Sequence, residues 1–507
     1  MENKFISALK NDTNETLTEN GAIAYRTTNS DLLDMFAVIG ALRTRPADEI
    51  IRKFTKAFAE DNLLAMKMMF YARNIRGGLG ERRTFRILIK YMADYHTDVM
   101  RMNLELVPVF GRWDDLYELV DTALEDEAFT FMHNQLMKDE AAMENHQSVS
   151  LLAKWLHSTS GVSVPAAKLG RLTAKKFHLS YEQYRKKLSA LRAYINLVEV
   201  NMSANEWDKI VYNEVPSLAM KKYRKAFQAH DLVQFKKYIE KVRTGEEKIN
   251  ATTLYPYDIM ESAGLGEHSW SSRYYNLKNW DEVLEEQWKA LPNYVTGDNN
   301  ILVMADTSGS MHGRPVCTSI GLAMYFAERN NGPWHNRFLT FSSRPELVEL
   351  KGSNLKEKVT CVRDICENTD IEAALMLVLN TAINNRLAQK DLPQAIIIIS
   401  DMEFDSATDD YSYDSVEKEK NISKQRKLMD KIAAEYQAKG YVIPKIVYWN
   451  VDSRQDTYHA LSEYKNVALV SGQSVSTFRT VLSAIDEDPY DTMLEALNDP
   501  MYDEVKI

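Results

Sequence analysis

Cysteine is scarce in this chain of 507 residues, which has only Cys317, Cys361 and Cys366. Three cysteines cannot build a disulfide framework, so we expect a reducing compartment and a cytoplasmic protein. The N-terminal stretch becomes polar after ten residues and lacks the apolar centre of a secretory signal peptide, which agrees with this expectation.

Glycine, proline and long apolar runs are also in short supply. The chain has 19 Gly and 13 Pro, while hydrophobic residues make up 45% and charged residues 26%. This balance excludes a collagen-like or largely disordered chain. No apolar run approaches the roughly 18 residues that would span a bilayer, so no membrane association is expected. At roughly 150 residues per domain, the length predicts two to four domains.

Positive charge is lacking overall but is concentrated locally. The formal net charge of −10 argues against a general attraction to nucleic acid. Residues 151–250 nevertheless hold 19 Lys and Arg against 9 Asp and Glu. Such a basic block can bind an anionic partner although the whole chain is acidic. The alternative interpretation is the solvated face of long helices.

Apolar residues recur at three- and four-residue spacing through most of the first 290 or so residues. The pattern predicts helices over Ala47–Ala59, Asn62–Asn74, Glu81–Tyr95, Trp113–Leu124 and Ser180–Val200. The last of these opens with Ser180 and Gln183 at the spacing of a capping box. Because no fixed-period repeat is visible, we predict an irregular, all-α, HEAT-like array of helix pairs over residues 1–296.

Short apolar runs alternate with helical stretches after residue 297. Ile301–Ala305 and Ala395–Ile399 are apolar throughout, which is typical of strands buried on both faces. The alternation predicts a mostly parallel sheet with helices on each side. We therefore predict an α/β doubly wound domain over residues 297–484, followed by an acidic segment, 485–507, that packs back.

Oxygen-bearing side chains follow two of the predicted strands. Asp306, Ser308 and Ser310 form a D-x-S-x-S set after the first strand, and Asp401 follows the most hydrophobic one. Thr369 offers a hydroxyl on a third loop. Ligands collect at the carboxyl ends of strands in an open parallel sheet, and hard oxygen ligands suit a hard divalent cation. The pattern predicts a Mg²⁺ site, with Ca²⁺ or Mn²⁺ as alternatives; the other interpretation is an ion that only ties the loops together, or an empty site.

Three loops in this order resemble the metal ion-dependent adhesion site (MIDAS) of the von Willebrand factor type A domain. The resemblance implies that Ser308 and Ser310 bind the metal directly, and that Thr369 binds it directly or through water. It implies contacts mainly through water for Asp306 and Asp401. A cation with few charged ligands stays electrophilic, so a partner carboxylate or another anion can complete its coordination.

Four further stretches carry a second resemblance: Tyr71–Arg82, Gly111–Leu116, Val215–Arg224 and Ser400–Asp405. Together with a helical half and a type A half, they resemble the Ro (TROVE) ribonucleoprotein family, and more closely its uncharacterised bacterial, phage and plant relatives. The resemblance implies a monomeric ring of helical repeats closed by the type A domain. It also implies binding of small noncoding RNAs and of the single-stranded ends of misfolded RNAs.

The candidate RNA contacts come from the basic block and from a glycine-rich turn at Gly77–Gly80. On the helix that follows Pro216, four cations fall on the arc opposite Tyr223 and Phe227. The full set is Arg82, Arg83, Arg86, Arg171, Lys175, Lys176, Arg185, Arg192, Lys221, Lys222, Arg224 and Lys225. For the glycine-rich turn, the alternative is a plain helix–helix connection.

These observations favour a nonenzymatic, Ro-like RNA-binding protein that also has a divalent-metal site for a protein partner. The alternative is a metal-dependent interaction or scaffold protein without RNA, in which the metal site clasps a partner's acidic residue. A metal-dependent nuclease has little support, because no His or Lys is placed as an evident general base and no two-metal carboxylate set is apparent.

Overall fold

The computed structural model describes residues 14–161, 163–265, 274–295, 300–341, 345–363, 370–405, 432–483 and 487–507. The chain divides into two compact units. The sheet unit comprises the described residues of Met1–Asp61 and of Leu254–Asp499. The helical unit comprises Asn62–Thr253 together with Pro500–Ile507. Packing therefore divides the chain differently from the predicted ranges 1–296, 297–484 and 485–507.

The helical unit consists of α-helices and short 3-10 turns. Its α-helices are Asn62–Arg73, Arg82–Tyr95, Thr97–Met102, Val107–Phe110, Glu125–Glu144, Leu152–Trp155, Val164–Lys176, Tyr181–Tyr194, Val198–Ser203, Ser217–His230 and Leu232–Thr244. Its 3-10 helices are Leu104–Leu106, Trp113–Leu119, Trp207–Lys209, Tyr212–Glu214 and Pro500–Tyr502. The prediction of a mostly helical first half is confirmed at this level.

The predicted helix over Ser180–Val200 is shorter than expected. Its capping box is confirmed, because the Ser180 hydroxyl accepts from the Gln183 amide and the Gln183 side chain accepts from the Ser180 amide. The helix ends at Tyr194, and Asn196 follows with a φ of 49°. Asparagine tolerates this left-handed conformation, which an α-helix cannot continue.

The sheet unit is built on a six-stranded mixed sheet. Its strands are β3 (Ile301–Asp306), β4 (Arg337–Phe341), β5 (Leu347–Glu349), β6 (Ala395–Ser400), β7 (Lys445–Asn450) and β8 (Val467–Ser471), in the order β5-β4-β3-β6-β7-β8. Only β5 runs antiparallel to its neighbour. Every residue of β3, β6 and β7 is buried, as expected of strands covered on both faces.

Helices accompany the sheet along the chain. The α-helices of this unit include Asp31–Phe36, Ala47–Glu60, Pro256–Ser262, Glu282–Lys289, Arg314–Arg329, Leu355–Val359, Ile371–Asn385, Thr477–Ser483 and Pro489–Leu497. Its 3-10 helices are Ile39–Ala41, Gly309–Met311 and Gln389–Asp391. The alternation of strands and helices predicted for the second half is confirmed as an α/β arrangement.

Residues 14–61 pack on the sheet unit, although the sequence placed them with the helical array. A hairpin of β1 (Glu15–Leu17) and β2 (Ile23–Tyr25) lies against the loops that follow β6 and β7. The Thr18 hydroxyl donates to the Phe404 carbonyl at 2.6 Å. Tyr25 and Tyr458 exchange two backbone hydrogen bonds, of 2.7 and 2.9 Å. The hairpin therefore braces the edge of the sheet where the predicted metal ligands lie.

Across the described ranges, none of the helices combines the length and the apolar character that crossing a bilayer requires.

Candidate functional site

The loop after β3 brings its polar side chains to one point. The carboxylate of Asp306 is fully buried; one oxygen accepts from the Ser308 amide at 2.8 Å and the other accepts from the Ser400 hydroxyl at 2.5 Å. The hydroxyl oxygens of Ser308 and Ser310 lie 3.0 Å apart. This loop therefore presents one carboxylate and two hydroxyls side by side.

The loop after β6 supplies the second carboxylate. Strands β3 and β6 are parallel neighbours, with Ala305 paired to Ile399, so the residues that follow them emerge at one edge. Asp401 is 2% exposed, and its Oδ1 accepts from the Glu403 amide at 3.3 Å. Its buried Oδ2 accepts no hydrogen bond from the residues that the structure describes. A buried carboxylate oxygen without a donor is costly unless a cation or a proton compensates it.

The electrostatics of this site are unfavourable for two bare carboxylates. Burial raises the pKa of Asp306 to about 7, and the negative charge of Asp401 adds to the rise. A bound cation would stabilise the ionised form of both groups.

Arg454 provides the positive charge that the structure places nearest to Asp401. Its Nη2 lies 3.5 Å from Asp401 Oδ2 and donates to the Ser310 carbonyl, so it links the two loops. Its Nε lies 3.7 Å from Asp452, whose pKa is raised by burial, although Arg454 opposes the rise. The contact to Asp401 is longer than a hydrogen bond, so the carboxylate is only partly compensated.

The remaining predicted ligand, Thr369, lies outside the described residues. The next residue, Asp370, caps helix Ile371–Asn385 by accepting from the Ala373 amide at 3.0 Å.

The chemistry of the donor set fits a hard cation. Asp306, Ser308, Ser310 and Asp401 offer carboxylate and hydroxyl oxygens, which Mg²⁺ and Ca²⁺ prefer. In the parts of the chain that are described, no three His, Cys, Asp or Glu side chains gather as metal ligands, so this set depends on hydroxyls.

The predicted RNA contacts are dispersed, and only a few of them line a common concavity. An open groove of about 520 Å³ is lined by Arg171, Leu172, Lys175, Leu179, Ser180 and Tyr181. Tyr181 is 54% exposed at the start of helix Tyr181–Tyr194. Arg171 donates to the Thr159 carbonyl at 3.1 Å. Two cations thus flank an exposed aromatic ring, an arrangement that suits phosphate and base together.

Outside this groove, four of the predicted RNA contacts are held by carboxylates or backbone carbonyls of the protein. Lys176 lies 2.5 Å from both Glu125 and Asp126. Arg192 donates to the carbonyl oxygens of Ala153 and Leu156.

The other two are Arg86 and Arg224. Arg86 pairs with Asp114, Asp115 and Glu118. Arg224 is buried and donates to the Lys221 carbonyl at 2.7 Å. Cations held in this way are poorly available to phosphates.

The rest of the predicted set occupies other faces of the helices. Lys222 contacts the Tyr223 hydroxyl at 3.1 Å, and Lys221 is half-buried. The exposed members are Arg82, Arg83, Arg185, Lys222 and Lys225. Lys168, which was not among the predicted contacts, is exposed one turn before Arg171 on the same helix.

Fold and site together define a class of protein: a helical unit joined to an α/β unit that has a carboxylate and hydroxyl site at its strand ends. The model of the domain of unknown function DUF2828 matches residues 18–152 and 149–298, more than half of the chain. The chain therefore belongs to the DUF2828 family. The model of the domain of unknown function DUF7788 matches residues 300–503. The chain is also similar to uncharacterized protein L728 of Acanthamoeba polyphaga mimivirus, at 28% identity over 96% of this chain and 87% of the viral protein.

These matches overturn the predicted resemblance to the Ro ribonucleoprotein family and its bacterial, phage and plant relatives, because the matching families are DUF2828 and DUF7788. The stretch Gly111–Leu116 shows why the resemblance misled. Asp115 is fully buried and pairs with Arg73 at 2.8 Å and with Arg86 at 2.6 Å. The stretch is explained by packing within the helical unit, so it carried no information about RNA.

Proposed function

We propose that this protein is a nonenzymatic binding protein that takes a hard divalent cation, Mg²⁺ first, at Asp306, Ser308, Ser310 and Asp401, and that holds a protein partner through it. The buried Oδ2 of Asp401, which accepts no hydrogen bond from the described residues, is the observation that carries the proposal. Thr369 stays a predicted ligand. In the sequence analysis, a metal-dependent interaction protein was the alternative to an RNA-binding protein. It is now the first proposal, because the family matches removed the resemblance that favoured RNA binding.

The donor set also suggests the chemistry of the partner. With the two serine hydroxyls as direct ligands and the two carboxylates acting mainly through water, a bound cation would keep few charged ligands, so a partner's Asp or Glu carboxylate would complete its coordination. Arg454 is 34% exposed beside the site and adds a second attraction for that carboxylate.

Calorimetric titration of the full chain with MgCl₂ tests the cation site. Ser308→Ala and Asp401→Asn are expected to weaken Mg²⁺ binding at least tenfold, because each removes an oxygen ligand or a charge. Asp488→Asn is the matched control, since Asp488 caps helix Pro489–Leu497 and asparagine caps equally well. Equal affinities in all four proteins, or no binding in any of them, would contradict the proposal.

A peptide array tests the partner contact. Each peptide that contains Asp or Glu is paired with its Asn or Gln counterpart and probed with the full chain in Mg²⁺ or in chelator. We expect acidic peptides to be retained only in Mg²⁺ and only by proteins with an intact Ser308. If acidic peptides are retained equally well in chelator, the contact is not mediated by the metal.

RNA binding is the second candidate function, and the groove beside helix Val164–Lys176 is the observation that favours it. Its two cations would meet phosphates while a base stacks on Tyr181. If two phosphates are neutralised, the slope of log affinity against log salt is about −1.4 for a single strand.

Fluorescence anisotropy with a single-stranded RNA of about ten nucleotides tests this groove. We expect the pair Arg171→Glu and Lys175→Glu to weaken binding at least tenfold. The pair Lys236→Glu and Lys237→Glu makes the same change of charge on exposed residues of helix Leu232–Thr244 and should leave binding nearly unchanged. An equal loss of RNA affinity in the two double variants would mean that binding depends on net charge and not on this groove.

The finer descriptions of the fold also remain proposals. The strand order with the D-x-S-x-S loop after β3 supports a type A organisation of the sheet unit. Helices Ser217–His230 and Leu232–Thr244 contact each other. We propose that they form one antiparallel pair of a HEAT-like repeat in the helical unit.

A further inference from the structure

Segment 500–507 belongs to the helical unit, although in the sequence it follows all of the sheet unit. Its anchor is Tyr502, which is 1% exposed. The Tyr502 ring stacks on Phe110 with 5.3 Å between centroids and meets Tyr71 edge-on at 6.2 Å. Its hydroxyl accepts from Asn74 Nδ2 at 3.1 Å. The tyrosine is therefore recognised both by its ring and by its polar end.

A buried asparagine recognises the backbone of the same segment. Asn103 is 0% exposed, and its side-chain amide donates to the Lys506 carbonyl at 2.7 Å. Its Oδ1 accepts from the Lys506 amide at 2.9 Å. One side chain thus satisfies both backbone groups of one residue, as a neighbouring strand does for a bound peptide. Val505, beside it, is buried.

Two further residues of the helical unit accommodate side chains of the segment, one by leaving space and one by opposite charge. A Cβ on Gly77 would lie 2.8 Å from the methyl carbon of Met501, so glycine makes room for this side chain. Lys67 is largely buried, and its ammonium lies 3.7 Å from the carboxylate of Asp503. The helical unit therefore recognises three features of the segment. These are a tyrosine, an acidic residue directly after it, and a valine three residues after the tyrosine.

The segment has little structure of its own. Besides the short 3-10 helix Pro500–Tyr502, two turn contacts join its backbone: the Asp503 amide donates to the Pro500 carbonyl and the Val505 amide donates to the Tyr502 carbonyl. Its order therefore depends on the surface that holds it, as expected of a short peptide ligand in a preformed groove.

We propose that Tyr71, Asn74, Gly77, Asn103 and Phe110 form a peptide-recognition groove, that segment 500–507 is its resident ligand, and that the groove accepts a Tyr-acidic-x-Val peptide in trans when this segment is displaced. This inference is independent of the cation site, which lies in the sheet unit.

The test compares the full chain with a chain that ends at Asp499, using a fluorescein-labelled peptide of sequence 500–507. We expect saturable binding to the shortened chain and at least tenfold weaker binding to the full chain, where the resident segment competes. The same peptide with Tyr502→Ala should lose at least tenfold in affinity, and so should the shortened chain with Asn103→Ala. No binding to a folded shortened chain, or equal binding to both chains, would overturn the proposal.

A second variant keeps the test decisive if the shortened chain does not fold. In the full chain, Tyr502→Ala should raise hydrogen exchange across residues 500–507 and allow the labelled peptide to bind. Glu504→Ala, at an exposed position of the same segment, should behave like the unaltered chain. Slow exchange in Tyr502→Ala would contradict the role of this anchor, and fast exchange without peptide binding would contradict a groove that works in trans.

Discussion

At the scale of single residues, His459 is an imidazole enclosed by aromatic rings. Its ring centroid lies 4.5 Å from that of Phe404 and 5.3 Å from that of Tyr448, and its Nε2 donates to the Met402 carbonyl at 2.9 Å. Burial lowers the pKa of His459 to about 4. The folded protein therefore keeps this side chain neutral where an unfolded chain would protonate it.

This difference predicts a loss of stability in acid. Between pH 6.5 and pH 4 the unfolded state binds the proton and the folded state does not, so stability falls as the pH falls. The loss is about 2 kcal/mol by pH 5 and is absent above both pKa values. We expect His459→Gln to lose that much less stability than the unaltered chain between pH 7.5 and pH 5, measured by urea unfolding.

Exposed His178 provides the control for this measurement. It has a φ of 54°, which asparagine tolerates, so His178→Asn removes an exposed imidazole without straining the backbone and shows what the loss of any histidine does to the measurement. Parallel curves for His459→Gln and the unaltered chain would contradict the assignment.

The residues of the cation site show what a sequence can and cannot predict. Asp306, Ser308, Ser310 and Asp401 were found because each follows an apolar strand at the edge where ligands gather. Ser400 and Arg454 were missed. Arg454 follows β7, which lies beside β6 in the sheet, and the alternation of strands and helices does not determine that neighbour. Because β7 lies beside β6, the loop after β7 places the Arg454 side chain near Asp401.

At the scale of elements, Trp113–Leu119 shows how tertiary contacts select a local conformation. Helical spacing predicted an α-helix over Trp113–Leu124, whereas the structure has a 3-10 helix that ends at Leu119. Asp115 accepts from the Arg112 amide at 2.9 Å and pairs with Arg73 and Arg86. Periodicity cannot reveal this turn, because Arg73 and Arg86 come from two other helices.

Removing this buried charge is expected to destabilise the helical unit strongly. Asp115→Asn would leave two arginines facing an uncharged amide, and breaking a buried pair costs about 3–5 kcal/mol. Asp126→Asn is the control, because Asp126 is exposed and its pair with Lys176 contributes about 0–1 kcal/mol. Urea unfolding measures both variants, and a loss below 1 kcal/mol for Asp115→Asn would contradict the role given to this residue.

At the scale of the whole molecule, sequence order and spatial order disagree. Residues 14–61 read as the start of the helical array, yet they pack on the sheet unit. The amide of Gly40 donates to the Ser471 hydroxyl at 3.0 Å, which in turn donates to the Phe36 carbonyl at 3.1 Å. Periodicity describes the face that an element buries but not the surface against which it is buried, so the sequence could not assign this segment.

Gly40→Ala tests the close approach of this segment to the sheet. A Cβ on Gly40 would lie 2.6 Å from the Cα of Gly472, and both sides of the contact are backbone. We expect a loss of about 1–3 kcal/mol in the free energy of unfolding, as for other overpacked sites. An unfolding midpoint equal to that of the unaltered chain would contradict this packing.

The helical unit is formed by two separated parts of the chain. This has a consequence for its folding during translation. About 250 residues of the sheet unit are translated between Thr253 and Pro500, which at about 5 to 20 residues per second takes roughly 12 to 50 s. For that interval Asn103 and Phe110 exist in the nascent chain without Lys506 and Tyr502. Part of the interior of the helical unit therefore stays uncovered until residues are made that follow all of the sheet unit.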